Sequence, residues 1–99
     1  MRMKDKVVVV TGGAAGLGRA AVELFAAEGA AVSIWDRAVD AGEALAAELA
    51  SRGVRAEFRR VNVADAASVD AAMTAVANAF GGVDVLINNA GITRDATLL

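Results

Sequence analysis

The 99-residue sequence has no cysteine and no histidine. Disulfides, Cys/His zinc sites, thiolate nucleophiles and imidazole bases are therefore excluded, and most hydrolase mechanisms go with them. Positive charge is scarce as well. Ten Lys and Arg against twelve Asp and Glu leave a net charge of −2, and no basic run offers a footing on nucleic-acid phosphates. Long apolar runs are missing too. Arg2, Lys4 and Lys6 ahead of four valines mimic the start of a secretory signal, but the run stops at Thr11-Gly12-Gly13, too short for its apolar core. No stretch approaches the roughly 18 apolar residues of a membrane span. The chain reads as cytoplasmic, and its length allows one small domain with a thin core.

What is present centres on Val7-Val8-Val9-Val10-Thr11-Gly12-Gly13-Ala14-Ala15-Gly16-Leu17-Gly18. Four β-branched residues in a row suit a strand covered on both faces. Glycines at 12, 16 and 18 supply a turn without Cβ, room for phosphates to reach the backbone, and close helix-to-strand contact. A helix opening near Leu17 points its unpaired N–H groups and positive dipole end at that gap. Such a strand, turn and helix make an anion site shaped for a dinucleotide pyrophosphate, or a tight connection with no ligand. Two further features decide between these: an acid ending the next strand, and another parallel strand beside the first.

Both follow in the chain. Strand one covers about Lys6–Thr11. A first helix, about Gly16–Glu28, presents Leu17, Ala21, Leu24 and Phe25 on one face, and Gly29 ends it as a left-handed cap. Ala31-Val32-Ser33-Ile34-Trp35-Asp36 is a second strand whose last residue is acidic. Asp36 follows Gly18 by 18 positions, close to the roughly 20 expected of the carboxylate that binds the adenosine ribose; a solvated loop acid or a helix cap is the alternative. That carboxylate would repel the 2′-phosphate of NADP by about 4 kcal/mol per unit charge at about 4 Å in an effective dielectric near 20, so NAD is preferred over NADP. Arg37 either softens this repulsion or is simply solvated. Trp35, beside Asp36, is expected at the adenosine end of the pocket.

A second helix spans about Val39–Ser51 with Gly42, Leu45, Ala46 and Leu49 on one face, and Gly53 closes it. Val54, Ala56 and Phe58 then alternate with Arg55, Glu57 and Arg59, a strand with one wet face that belongs at the sheet edge. Asn62-Val63 falls where an adenine ring would lie, Asn62 pairing with its polar edge and Val63 covering its face; a turn-forming Asn is the alternative. Asp65 caps a third helix that runs to about Phe80, with Val69, Met73, Val76, Ala77 and Phe80 as its apolar stripe. Gly81-Gly82 ends it, and Val83–Ile87 is a fourth strand followed by Asn88-Asn89-Ala90-Gly91. Right-handed crossovers give an α/β, Rossmann-like doubly wound parallel sheet of order 3-2-1-4, with the ligand at the switch point between strands one and four.

The Thr11–Gly18 turn, Asp36, Asn62-Val63 and Asn88-Asn89-Ala90-Gly91 together resemble the N-terminal part of the short-chain dehydrogenase/reductase family over essentially the whole chain. The tail Gly91-Ile92-Thr93-Arg94-Asp95 is similar to bacterial β-ketoacyl-[acyl-carrier-protein] reductases and acetoacetyl-CoA reductases. The resemblance implies hydride transfer between a nicotinamide and a ketone or secondary alcohol. It places the phosphates on the backbone from Gly12 through Ala14, Ala15 and Gly16 to Leu17, and lines the nicotinamide ribose with Asn89, Ala90 and Gly91. Asn88 would tie strands together. Ala15 stands where NADP-preferring members often carry a basic residue, which agrees with Asp36 in favouring NAD and departs from many β-ketoacyl reductases.

The larger departure is chemical. Members of the family protonate the substrate oxygen with a Tyr assisted by Lys, Ser and Asn, and this sequence has no Tyr. The chain is thus expected to be a nucleotide-binding half-domain, residues 1–99, that ends before the catalytic segment, holds no catalytic residue of its own and self-associates through the uncovered strand Val83–Ile87. A non-catalytic nucleotide-binding module and an interaction fragment are the alternatives.

Overall fold

The computed structural model describes residues 2–90. Strands and helices alternate: β1 (Val7–Thr11), α1 (Gly16–Ala27), β2 (Ala31–Asp36), α2 (Val39–Ser51), β3 (Ala56–Arg60), α3 (Ala66–Phe80) and β4 (Val85–Asn88). The four strands pair in parallel in the order β3-β2-β1-β4. In register, Val10 lies between Ile34 and Ile87, and Thr11 between Trp35 and Asn88. The sheet order is the one the sequence predicts.

The pleat sorts the valines of β1 into two cores. Val8 and Val10 join Val22 and Ala26 of α1 and Leu45, Ala46 and Leu49 of α2; Val7 and Val9 join Trp35, Val61, and Ala72 and Val76 of α3. Both faces of β1 are therefore covered, and all five of its residues are buried. The stripe Gly42, Leu45, Ala46 and Leu49 faces the sheet as predicted. Gly42 allows the contact, since a Cβ there would collide with the Phe58 ring. The helices also end as read, at left-handed Gly29, Gly53 and Gly81, and the Asp65 side chain accepts from the Ala67 N–H to cap α3.

Other expectations need correction. The buried stripe of α1 is Gly18, Val22 and Ala26, with Ala21 and Phe25 only partly covered, whereas Leu17 and Leu24 are 72% and 61% exposed. Size decides the rotation. A Cβ at position 18 would run into the Gly12 carbonyl oxygen, so the smallest residue of the helix must be the one on the sheet. Arg19 and Glu23 then reach across to Glu48 of α2 and to Arg52 at its C-cap, and Leu17 and Leu24 are left on the side of α1 away from the sheet.

β3 begins at Ala56 rather than Val54 because the Val54 N–H donates to the Leu49 carbonyl (3.0 Å) in closing α2. Its charged face is only half wet: Glu57 accepts from Ser33 Oγ (2.7 Å) and from Arg59 Nε (2.6 Å), and Ser33 Oγ accepts from Trp35 Nε1 (3.0 Å). β4 runs Val85–Asn88 rather than Val83–Ile87. Before it, the Asp84 carboxylate accepts the Val7 N–H (2.8 Å), in place of a ladder carbonyl.

Candidate functional site

At the carboxyl ends of the strands, the chain leaves β1 through Gly12 and Gly13 and enters α1 at Gly16. The three motif glycines divide the work. Gly12, at φ 63°, reverses the chain, with its Cβ position hemmed in by Asn89 and Ala90. Gly18 brings the helix down onto the turn. Gly16, at φ 57°, has nothing within 4 Å of where a Cβ would stand, so open space lies over the helix entrance. The residue before it, Ala15, has extended backbone and no side chain caps the helix. The N–H groups of the first turn thus lack intrahelical acceptors and face that space with the positive end of the helix dipole.

The turn is held from both neighbouring strands. On the β2 side, the Gly13 N–H donates to the Trp35 carbonyl (3.3 Å) and the Ala14 N–H to Asp36 Oδ2 (3.0 Å). On the β4 side, Asn89 Nδ2 donates to the Gly12 carbonyl (3.1 Å), and Asn89 is buried. Thr11 completes this side, its hydroxyl lying 3.1 Å from Asn88 Oδ1 and accepting the Ala90 N–H (3.1 Å). Asn88 is thereby drawn to β1. Sequence reasoning passed over Thr11 as a side chain, although its place at the strand's last position was the available signal.

Asp36 is half-buried, and its other oxygen accepts the Ala38 N–H (3.0 Å). A carboxylate has about four lone-pair directions, so capacity for ribose hydroxyls remains. Arg37 is exposed next to it. The Val61 N–H donates to the Asp36 carbonyl (3.2 Å), which brings the exposed Asn62 and Val63 to the same edge. Asn62 Oδ1 accepts the Ala64 N–H (3.1 Å) and the Asn62 N–H donates to Ser68 Oγ (3.2 Å), so Asn62 does build a turn. Arg37, Arg60, Asn62 and Ser68 enclose a hollow of about 170 Å³ there. Arg60 and Ser68 had no motif to mark them.

Trp35 does not face this crevice. Its indole is buried on the opposite side of the strand with Val9, Val61, Ala72 and Val76, because position 35 points to the α3 face. Gly91 and the segment Gly91–Asp95 lie outside the described residues. A larger hollow, about 570 Å³, sits at the other end of the strands among Lys6, Arg52, Arg55 and Phe80. Helix C-termini and basic side chains converge there, not the backbone N–H groups of a helix N-terminus. Among the described residues no helix is long and apolar enough to cross a membrane, and no cluster of acidic, Cys or His residues could hold a metal.

A family model for short chain dehydrogenases matches residues 6–99. D-threitol dehydrogenase from Mycolicibacterium smegmatis is 46% identical over 94 residues, covering 94% of this chain and 36% of that protein. The 3-oxoacyl-[acyl-carrier-protein] reductase FabG of Thermotoga maritima is 38% identical over 99 residues, covering all of this chain and 40% of the relative. A crystal structure of a short chain dehydrogenase/reductase from Burkholderia phymatum in complex with NAD superposes with a TM-score of 0.83 at 31% identity, over 87% of this chain and 31% of that one. The chain thus spans little more than a third of the length of the curated relatives it matches.

Proposed function

The chain belongs to the short-chain dehydrogenase family, and we propose that residues 1–99 form the cofactor-binding half of an oxidoreductase that moves hydride between NAD and a ketone or secondary alcohol of the 3-oxoacyl thioester kind. The observation that carries this is the uncapped α1 entrance, open over Gly16 and flanked by the Asp36 carboxylate. The pyrophosphate would rest on the backbone from Gly12 to Leu17. Asp36 would accept the ribose hydroxyls, with Arg37 at its side. Asn62 and Val63 would take the adenine. Asn89, Ala90 and Gly91 would line the nicotinamide ribose. The bound nicotinamide supplies the hydride chemistry; the residues described here bind and orient it, and no Tyr in the sequence offers the family's proton donor.

NAD is the proposed cofactor because Asp36 repels a 2′-phosphate and Ala15 brings no compensating charge. Calorimetric titration with NAD, ADP-ribose and NADP tests the assignment. NAD and ADP-ribose should bind with similar, modest affinity and NADP at least about tenfold more weakly. A folded chain that binds none of them would overturn the dinucleotide site. A large preference for NAD over ADP-ribose would show that the adenosine half does not carry the affinity.

A second reading rests on the β4 edge. Leu86 is 48% exposed on a strand whose outer edge has no partner among the described residues, and Leu17 and Leu24 of α1 are exposed as well. Unpaired strand edges with apolar neighbours associate, so the 99-residue chain should pair with a second copy through β4.

A further inference from the structure

Asp36 is expected to meet the cofactor at the ribose, yet its carboxylate is already engaged. Oδ2 accepts the Ala14 N–H at 3.0 Å and Oδ1 the Ala38 N–H at 3.0 Å. Ala14 is buried in the middle of the glycine turn, 22 residues from Asp36 in sequence. Its N–H therefore points to β2 and not toward the space over Gly16. Among the described residues one other bond ties the turn to β2, the longer one from the Gly13 N–H to the Trp35 carbonyl at 3.3 Å. A hydrogen bond to an ionised acceptor is roughly twice as strong as one between neutral groups, so the carboxylate is the principal tie on this side.

We infer that Asp36 is a positioning residue for the pyrophosphate-binding turn as well as a ribose ligand, so that it supports diphosphate affinity even when no ribose hydroxyls are present. This rests on the dinucleotide reading above and deepens it. Losing the tie frees Ala14 and lets the turn depart from the shape in which the first-turn N–H groups converge. The same carboxylate then links the adenosine and diphosphate halves of the site: ribose hydroxyls on its remaining lone pairs and Ala14 on Oδ2 hold one rigid group in common.

The test must separate the tie from the charge, because removing a negative group near phosphates by itself favours anion binding. Asp36→Asn and Asp36→Ala lose the same charge, but only Asp36→Asn keeps an oxygen that can accept the Ala14 N–H, with its amide NH2 then replacing the acceptor of Ala38. The ligand is 2′,3′-dideoxy-ADP, which has the diphosphate and lacks both hydroxyls, titrated by calorimetry into the full chain and its two variants. Asp36→Ala should bind it about tenfold more weakly than Asp36→Asn. Equal affinities of the two variants would overturn the inference. Amide hydrogen exchange provides the second readout: Ala14 should be protected in the parent and in Asp36→Asn and exchange faster in Asp36→Ala, with Val8–Val10 protected in all three as the sign of an intact fold. Unchanged Ala14 exchange in Asp36→Ala would equally overturn it. If the folded parent binds neither ADP-ribose nor the dideoxy ligand, the dinucleotide reading fails, and the Ala14 exchange still decides whether Asp36 holds the turn.

Discussion

β1 and β4 lie side by side and are made of similar residues, Val-Val-Val-Val-Thr and Val-Leu-Ile-Asn. Their burial is nothing alike. Every residue of β1 is buried, while β4 alternates between half-buried and exposed. The difference comes from what covers them. β1 has a strand on each edge, α1 and α2 over Val8 and Val10, and α3 under Val7 and Val9. Among the described residues β4 has one neighbour, with Val85 and Ile87 packed against the α1/α2 core and Leu86 exposed on the other face. An apolar strand states that it wants cover; only topology says whether it has it.

Matched substitutions give the largest contrast. Val9→Asp places an unpaired carboxylate among Trp35, Val61 and Val76 and should cost more than about 4 kcal/mol, enough to abolish the urea transition of a small domain. Leu86→Asp, one strand over in the paired position, should stay within about 1 kcal/mol. Similar losses at the two sites would mean that β4 is covered as fully as β1.

Gly18→Ala probes the place where the two regions meet. The added Cβ would meet the Gly12 carbonyl oxygen and the Asn89 amide together, so the turn must shift off the residues that follow β4. A loss of about 2 kcal/mol in stability is expected, and ADP-ribose affinity should fall at least about tenfold as the turn moves. Full retention of affinity with only the stability loss would show that the turn's shape does not control binding.

How much of this was legible follows from the same contrast. Features set by a single residue type or by a regular pattern read true: the glycines that end the helices, the Asp65 cap, the α2 stripe and, through the handedness of the crossovers, the sheet order. The rotation of α1 did not, because a count of large apolar residues favoured Leu17 and Leu24 while the contact itself demanded Gly18. Steric closeness outranked hydrophobic size. For the site, the glycine turn, Asp36 and Asn89 came from motifs, and the structure brings them together through hydrogen bonds to Ala14 and Gly12. Arg60 and Ser68 entered only with the fold, as did the role of the Thr11 hydroxyl, since these depend on strand register and on the first turn of α3. Trp35 was misplaced for a simpler reason: adjacency in a strand puts neighbours on opposite faces.

A similarly small effect on stability is expected at the β4 edge. Val85 is half-buried and pairs with Val8 on one side, while the other edge of its strand has no partner among the described residues. A Lys at that position can carry its ammonium out past the sheet edge along an aliphatic stem, so Val85→Lys should cost only about 1 kcal/mol. Its effect on association should be larger. Two copies joined edge to edge through a two-fold axis would bring the two added charges close together, and a lysine at a strand edge is a recurrent block to such pairing. Light scattering at tens of micromolar should therefore give a dimer mass for the parent chain and a monomer mass for Val85→Lys. A monomeric parent would remove the self-association reading. A variant that stays dimeric would move the contact from the β4 edge to the Leu17/Leu24 flank of α1, where Leu24→Ser should then dissociate it.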